Sequence, residues 1–276
     1  MIPFDTRICE LGEGAFWHQL RGQFFWFDIL NRRLLSPGRE WRFDRMASAA
    51  AVIDRDRLMV ATETGLAILN LENGALTDHI AIEADRPETR SNDGRADRQN
   101  GFWFSTMGKR AEPGAGSIYR YFRGRVERLF TDISIPNAIS FAPDGRSAWF
   151  ADTARGIVWS QKLDAEGWPE GERAIFLDLN AEGLNPDGAT VDSEGGLWIA
   201  KWGAGAVMRY GPDGRRSHAV KVGGHHASCP AFGGADLGDM LVTTAREGIK
   251  APDMHQGLPW LVRPGFRGLP EPQVIL

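Results

Sequence analysis

The chain has 276 residues, 42% of them hydrophobic, and a formal net charge of −4 at pH 7. A chain of this size can bury a large core without disulfides or structural metals, and its scattered Lys and Arg residues argue against nucleic acid or an anionic membrane as a partner. Neither a membrane span nor the apolar core of a signal peptide is present in the sequence, so we expect a cytoplasmic protein. Cys9 and Cys229 have no metal-site spacing. We expect two reduced structural thiols, with a single disulfide as the alternative.

A short pattern recurs six times along the chain. Each copy is a turn rich in Asp, Gly or Arg followed by an apolar run that is often aromatic. The centres of the apolar runs lie roughly 33 to 49 residues apart, which is the spacing of a four-stranded propeller blade. In chain order, the six copies cover residues 21–28, 54–61, 97–104, 143–152, 192–200 and 235–242.

A second apolar strand follows most copies and ends near a Gly-rich or Pro-rich turn, which predicts one hairpin per blade. Residues 257–262 predict the matching strand of the last blade, with one chain terminus contributing to closure of the ring. No segment of a dozen residues has helical spacing of its apolar positions. We therefore predict an all-β fold, a single six-bladed β-propeller over residues 1–276. The second strands are predicted at residues 65–69, 116–121, 156–160 and 206–210.

The stretch from Arg90 to Met107 departs from the repeat in its first half. Arg90, Asn92 and Asp93 stand together just before the turn and the aromatic run. We expect this polar group to lie in a loop over the open end of a sheet.

Four oxygen-bearing side chains occupy equivalent positions in different predicted blades, close to Gly or Pro. Chain segments of different blades meet at the central channel of a propeller, so these four can be neighbours. Two carboxylates and two amides suit a divalent cation such as Ca²⁺, Mg²⁺, Mn²⁺ or Zn²⁺. Taken singly, Asn and Asp at such positions are most often turn residues, so the prediction of a metal site in the channel depends on the whole set. The four residues are Glu13, Asn92, Asn137 and Asp187.

An ordered series of motifs resembles the SMP-30/gluconolactonase/regucalcin-like family of sugar lactonases, and it covers nearly the whole chain. The resemblance implies a six-bladed propeller with one divalent metal ion in the channel. It also implies a hydrolase that opens a small-molecule sugar lactone to the aldonic acid. The motifs are Leu11-Gly12-Glu13-Gly14, Arg90-Ser91-Asn92-Asp93-Gly94, Ile135-Pro136-Asn137, Pro186-Asp187-Gly188 and Ala231-Phe232-Gly233-Gly234.

The resemblance also assigns the metal ligands. Glu13, Asn137 and Asp187 fall on the three ligand positions, and Asp187 also matches the proton acceptor. Three protein ligands leave coordination positions free, as a catalytic metal requires. The family commonly has Pro where Ala15 stands and Gly where Ala138 stands. We expect the Ala138 methyl group to narrow the pocket or to shift the neighbouring ligand.

Three further residues match substrate contacts of the family. Asn92 matches a residue near the metal that contacts substrate, and Arg90 and Glu112 match an arginine and a glutamate that would orient the sugar hydroxyls. For Arg90 the alternative is a surface ion pair with Glu83 or Glu88.

Other polar residues give weaker indications. His225 and His226 are adjacent, so at most one can face the channel, and a structural role is expected. Lys201 and Trp202 either rim the pocket or cap a turn. Two aspartates that follow aromatic strands are expected to cap turns: Asp28 and Asp152.

Two other functions compete with the sugar lactonase. A metal in the channel would also serve an esterase or organophosphate hydrolase, and a propeller can bind a ligand or a protein without catalysis. The sequence contains no Gly-x-Ser-x-Gly, His-Glu-x-x-His or phosphate-binding glycine motif, which disfavours serine hydrolase, zincin and nucleotide chemistry. We expect a monomer or a weak homo-oligomer.

Overall fold

The computed structural model describes residues 2–276 and contains 24 strands in six antiparallel four-stranded sheets. Two 3-10 turns, Thr153–Arg155 and Asn180–Glu182, are the only helical segments in this range. None of the described residues belongs to a helix long and apolar enough to cross a membrane. The predicted all-β, six-bladed propeller is confirmed.

The first three blades follow one another along the chain after the short strand β1 (Ile2–Pro3). Each blade runs from an innermost strand outwards through hairpins. Blade 1 comprises β2 (Gly12–His18), β3 (Gln23–Asp28), β4 (Arg33–Ser36) and β5 (Arg39–Arg42); blade 2 comprises β6 (Ala47–Val52), β7 (Arg57–Thr62), β8 (Gly65–Asn70) and β9 (Leu76–Ala81); blade 3 comprises β10 (Thr89–Ala96), β11 (Phe102–Gly108), β12 (Gly116–Phe122) and β13 (Arg125–Ile133).

The second half of the chain repeats this arrangement, and the last blade also takes in β1. Blade 4 comprises β14 (Pro136–Phe141), β15 (Ser147–Asp152), β16 (Ile157–Lys162) and β17 (Ala174–Asp178); blade 5 comprises β18 (Asn185–Val191), β19 (Leu197–Trp202), β20 (Ala206–Tyr210) and β21 (Arg216–Lys221); blade 6 comprises β22 (His226–Gly233), β23 (Asp239–Ala245), β24 (Trp260–Val262) and β1.

The N-terminal strand closes the ring. Ile2 of β1 pairs with Leu261 of β24, so the outermost strand of blade 6 comes from the opposite end of the chain. The strand predicted at residues 257–262 is present in the last blade but is limited to Trp260–Val262. The contribution of a terminus to closure is confirmed.

The aromatic runs of the repeat form the second strand of each blade. A blade is covered on both faces by its neighbours, so its central strands are apolar throughout rather than alternating. Trp26, Trp103 and Trp198 are the largest fully buried side chains, and each lies in a second strand. Cys9 and Cys229 pack into the same apolar cluster as buried free thiols, in agreement with the first of the two expectations.

The polar group near residue 90 lies inside a strand, and the prediction of a loop was wrong. Arg90, Asn92 and Asp93 belong to β10, an innermost strand. In all six innermost strands the pairing register shifts by a bulge, in β10 between Ser91 and Gly94. A bulge turns side chains away from the regular alternation. Here it directs polar residues of an otherwise buried strand into the channel.

The channel is open at one end only. Residues 264–276 run across the other end, where the backbone N–H of Val274 donates to the Val52 carbonyl at 2.7 Å. Arg95 of β10 forms an ion pair with Glu271 at 2.5 Å in the same region. The cavity that remains beside this pair has a volume of only about 10 Å³, so any solute must enter from the opposite end.

Candidate active site

The open end of the channel is a pocket of about 530 Å³, a volume typical of small-molecule sites. Its walls are partly apolar, with Leu11, Met107, Ile135 and Trp202 among the lining residues. At its floor the structure brings together side chains from blades 1, 3, 4 and 5 that are far apart in the sequence. These are Glu13, Arg90, Asn92, Asn137 and Asp187, all of them buried.

Two buried aspartates fix the segments that lead into the site. Asp28 and Asp152 end the second strands of blades 1 and 4, and their carboxylates accept backbone N–H groups from the residues just before β2 and β14. Their expected role as caps rather than catalysts agrees with this geometry. The donors are Glu10 and Leu11, both at 3.2 Å from Asp28, and Ser134 and Ile135, at 2.9 and 3.1 Å from Asp152.

Gly14 and Ala138, which follow the candidate ligands Glu13 and Asn137, both have a left-handed backbone conformation. Their φ angles are 54° and 55°. A Cβ atom at Gly14 would lie 2.1 Å from the Ser48 carbonyl oxygen, so only glycine fits there. At Ala138 the methyl group is accommodated, but a non-glycine residue in this conformation costs about 1 kcal/mol. Ala138 is fully buried and does not line the pocket. The expected narrowing of the pocket was wrong, because the effect of this methyl group falls on the backbone. Ala15 likewise packs at the closed end of the channel.

A chain of hydrogen bonds sets the orientation of the two amides. Arg90 Nη1 donates to Asn92 Oδ1 at 2.7 Å, and Asn92 Nδ2 donates to Asn137 Oδ1 at 3.1 Å. On the other side of Asn137, the Thr153 hydroxyl donates to the Pro186 carbonyl at 2.6 Å and therefore accepts from Asn137 Nδ2, at 2.8 Å. The amide of Asn137 consequently turns its oxygen towards the site, with one lone pair left for a cation.

The carboxyl groups at the floor of the pocket strongly perturb each other. Burial, together with the charge of Asp93, raises the pKa of Glu13 to about 8. Burial and the neighbouring Glu13 and Asp93 carboxylates raise the pKa of Asp187 well above its ordinary value. Asp93 itself accepts the backbone N–H groups of Gly94 and Ile139 at 2.9 and 2.7 Å, which ties blade 3 to blade 4.

This donor set fits a divalent cation. Like charges in a buried site repel each other, and a cation between them removes both the repulsion and the cost of burial. Residues 2–276 contain no group of three His, Cys, Asp or Glu side chains placed to hold a metal ion, so the set depends on the Asn137 amide oxygen beside the carboxylates of Glu13 and Asp187. Protons compete for those carboxylates, and cation affinity should therefore fall as the pH is lowered.

Arg90 belongs to the pocket. Its side chain is buried, and its Nη1 donates to the Ser91 carbonyl at 2.8 Å as well as to Asn92. The alternative of a surface ion pair is excluded, because Glu83 and Glu88 instead bind Arg86, at 3.3 and 3.1 Å.

Glu112 does not reach the pocket. Its carboxylate binds the exposed Arg110 at 3.0 Å, and it is absent from the lining residues. The connection between β11 and β12 instead brings Lys109, Arg110 and Ala111 to the mouth. The substrate contact assigned to Glu112 by resemblance therefore has no support in this geometry.

Comparison with known proteins places these observations in a family. The model of the SMP-30/Gluconolactonase/LRE-like region matches residues 11–246. The chain belongs to this family.

Relatives match the SMP-30/gluconolactonase/LRE-like chain over almost its full length. An L-arabinolactonase of Azospirillum brasilense is 36% identical, with 92% of this chain and 88% of the relative aligned. A pentonolactonase of Haloferax volcanii is 30% identical over 86% of this chain and 82% of its own. The crystal structure of a calcium-binding protein, regucalcin, from Agrobacterium tumefaciens is 38% identical and superimposes with a TM-score of 0.96, covering 99% of this chain and 97% of that one.

Several residues of the pocket in this family member were missed or left open by the sequence. Thr153 and Glu247 line it, yet each is a single polar residue in a connection and gives no repeating signal. Trp202 was expected either to rim the pocket or to cap a turn, and the structure places it at the rim. Its ring stacks on His226 with ring centroids 4.2 Å apart. His225 is exposed and does not line the pocket.

Proposed function

We propose that this member of the family is a divalent-metal-dependent lactonase that hydrolyses a sugar lactone to the aldonic acid. The observation that carries the proposal is the convergence of Glu13, Asn137 and Asp187 at the floor of a pocket with a single open end. The relatives named L-arabinolactonase and pentonolactonase support the substrate class, and the relative named calcium-binding supports a divalent ion.

The cation would be held by oxygen atoms of Glu13, Asn137 and Asp187. When bound, a divalent ion supplies Lewis-acid polarisation of the lactone carbonyl and lowers the pKa of water. The Asn137 amide donates to the Thr153 hydroxyl and accepts from Asn92 Nδ2, and these two bonds hold its oxygen towards the cation position.

Asp187 would move the proton. As the water oxygen bonds to the carbonyl carbon, one Asp187 carboxylate oxygen accepts the water proton. The ring C–O bond then breaks, and the same proton passes from Asp187 to the departing ring oxygen, which leaves as a hydroxyl of the aldonic acid.

Arg90 and the apolar wall would orient the substrate. Nη1 of Arg90 is engaged with protein acceptors, whereas its Nε and Nη2 have no hydrogen-bond partner among residues 2–276. These donors can reach lactone oxygens in the pocket. The ring of Trp202 and the side chain of Met107 offer surfaces for the C–H face of a sugar ring.

The proposal is tested by hydrolysis assays on gluconolactone, xylonolactone, arabinolactone and galactonolactone. Each is measured with Ca²⁺, Mg²⁺, Mn²⁺ or Zn²⁺ and after chelation. We expect turnover of at least one lactone that is lost on chelation and restored by a divalent ion. Metal-dependent turnover of aryl esters or organophosphates alone would instead identify the hydrolase alternative, and no turnover at all would favour a binding propeller.

Thr153→Val is expected to weaken cation binding by about 10- to 100-fold, the usual effect of losing a residue that orients a metal ligand. The substitution removes the acceptor for Asn137 Nδ2, so the amide is free to turn its nitrogen towards the cation. Titration of the metal-free protein with Mn²⁺ measures the effect. Thr153→Ser keeps the hydroxyl and should bind like the wild type, and equal affinity of all three proteins would refute the orienting role.

A cytoplasmic location and a monomeric or weakly associating state stay predictions from the sequence.

A further inference from the structure

Glu247 is a carboxylate at the mouth of the pocket that has no partner within the described chain. It follows β23 on blade 6 and lines the pocket. The backbone N–H groups of Arg246 and Glu247 both donate to the Glu10 carbonyl at 3.0 Å, so the segment is fastened to blade 1. Its side chain forms no hydrogen bond or ion pair with any of residues 2–276.

The other charged side chains at the mouth are compensated locally. Lys109 forms an ion pair with Glu63 at 2.5 Å, and Arg110 binds Glu112 at 3.0 Å. Glu247 is therefore the exception among the charged residues of the rim.

Glu247 acts electrostatically on Arg90, which lines the same pocket. Burial lowers the pKa of Arg90, and among the carboxylates that oppose this effect Glu247 acts most strongly, ahead of Glu13 and Asp187. The two side chains nevertheless do not form an ion pair, although both line the same pocket. Opposite charges thus line one pocket without forming an ion pair, Arg90 with free N–H donors and Glu247 with free acceptor oxygens.

A hydroxyl group has the chemistry to bridge this gap, because it accepts a hydrogen bond from a guanidinium and donates one to a carboxylate. We propose that Glu247 is a specificity residue that accepts a hydrogen bond from a ring hydroxyl of the lactone, opposite Arg90. This inference rests on the proposed lactonase function and narrows it to lactones that carry free hydroxyls on the side of the ring facing blade 6.

The test pairs two variants with two substrates. Glu247→Ala is compared with the wild type on a hydroxylated sugar lactone that the wild type hydrolyses and on δ-valerolactone, which has the ring but no hydroxyls. A hydrogen bond to a charged acceptor contributes about 1.5–3 kcal/mol, so kcat/KM on the sugar lactone should fall about 10- to 100-fold, mainly through KM. On δ-valerolactone the change should stay within about 2-fold, because no hydroxyl is lost. Glu247→Gln keeps an acceptor oxygen and should show a smaller loss on the sugar lactone.

The control variant is Glu182→Ala, which removes a carboxylate paired with Arg216 away from the pocket and should leave both rates unchanged. An equal loss on both lactones would overturn the inference, because it would show a structural effect of Glu247. No loss on either would overturn it as well.

Binding of gluconolactam, whose ring nitrogen resists hydrolysis, separates this inference from the lactonase proposal. Isothermal titration should show weaker binding to Glu247→Ala than to the wild type, even if the wild type hydrolyses none of the lactones. Equal affinity of the two proteins would contradict the role of Glu247 whatever the fate of the lactonase proposal.

Discussion

Asp187→Asn is expected to lower kcat for lactone hydrolysis by about 10²- to 10⁴-fold, the usual contribution of a positioned general base. Asparagine keeps an oxygen that can ligate a cation but cannot accept the proton of the attacking water. Asp187→Ala removes the ligand as well and should also abolish cation binding. Comparing the two variants by turnover and by Mn²⁺ titration therefore separates the proton acceptor from the metal ligand.

Both variants should remain folded, and without metal they should be at least as stable as the wild type. Asp187 is buried beside Glu13 and Asp93, and burial together with these neighbours raises its pKa well above the ordinary value. Removing one of the three carboxyl groups relieves that repulsion. Thermal unfolding with a chelator measures the effect. Asp213→Asn, an exposed substitution on the same blade, is the control. Wild-type turnover in Asp187→Asn would refute the assignment, and unfolding of both variants would show that the residue is structural.

Lys201→Met is expected to raise the free energy of unfolding at pH 7 by about 1–4 kcal/mol, as replacing buried charged groups by apolar ones often does. Lys201 was expected to rim the pocket or cap a turn, but the structure buries its side chain completely in blade 5. Its Nζ has no hydrogen-bond partner among the described residues and lies 4.8 Å from the centre of the Tyr210 ring. That contact offsets only part of the cost of burying an ammonium group.

The increase in the free energy of unfolding caused by Lys201→Met should depend on pH. Burial lowers the pKa of Lys201 from 10.5 to about 7. Between these values the unfolded chain holds a proton that the folded protein lacks, so wild-type stability rises as the pH increases. The penalty is fully present below about pH 7 and disappears above the pKa of the unfolded chain. Methionine removes it, so the advantage of the variant should be large at pH 7 and small near pH 10.

Denaturant unfolding at pH 7 and pH 10 measures both the size and the pH dependence. The matched control is Lys221→Met, an exposed lysine on the outermost strand of the same blade, which should change stability little at either pH. A destabilised Lys201→Met protein, or a gain that does not change with pH, would contradict this account of the buried ammonium.

The repeat could be predicted from the sequence because the second strand of each blade is covered on both faces. Such strands become continuous apolar runs, for example Phe24 to Phe27, and their spacing shows the blade number directly. The convergence of Glu13, Asn137 and Asp187 could also be predicted from the repeat. They occupy equivalent positions in different blades, and equivalent positions near the axis of a closed ring are neighbours.

The innermost strands could not be recognised in this way. Their first residues face the channel rather than a neighbouring blade, and a bulge breaks the alternation, so the polar residues of β10 resembled a loop. The connections were harder still. Glu112 lies in an irregular segment whose path is set by tertiary contacts, and in the structure Arg110 occupies the rim instead. Thr153 and Glu247 reach the pocket from connections outside the repeated strands, where no periodic signal exists.

Crystals of the protein grown with Ca²⁺ provide the most direct test, read from the anomalous difference density at long wavelength. A single peak is predicted at the floor of the pocket, at about 2.3–2.6 Å from oxygen atoms of Glu13, Asn137 and Asp187. A channel without a peak, or an ion bound by other residues while these three side chains keep their hydrogen bonds to the protein, would contradict the metal centre on which the proposed lactonase depends.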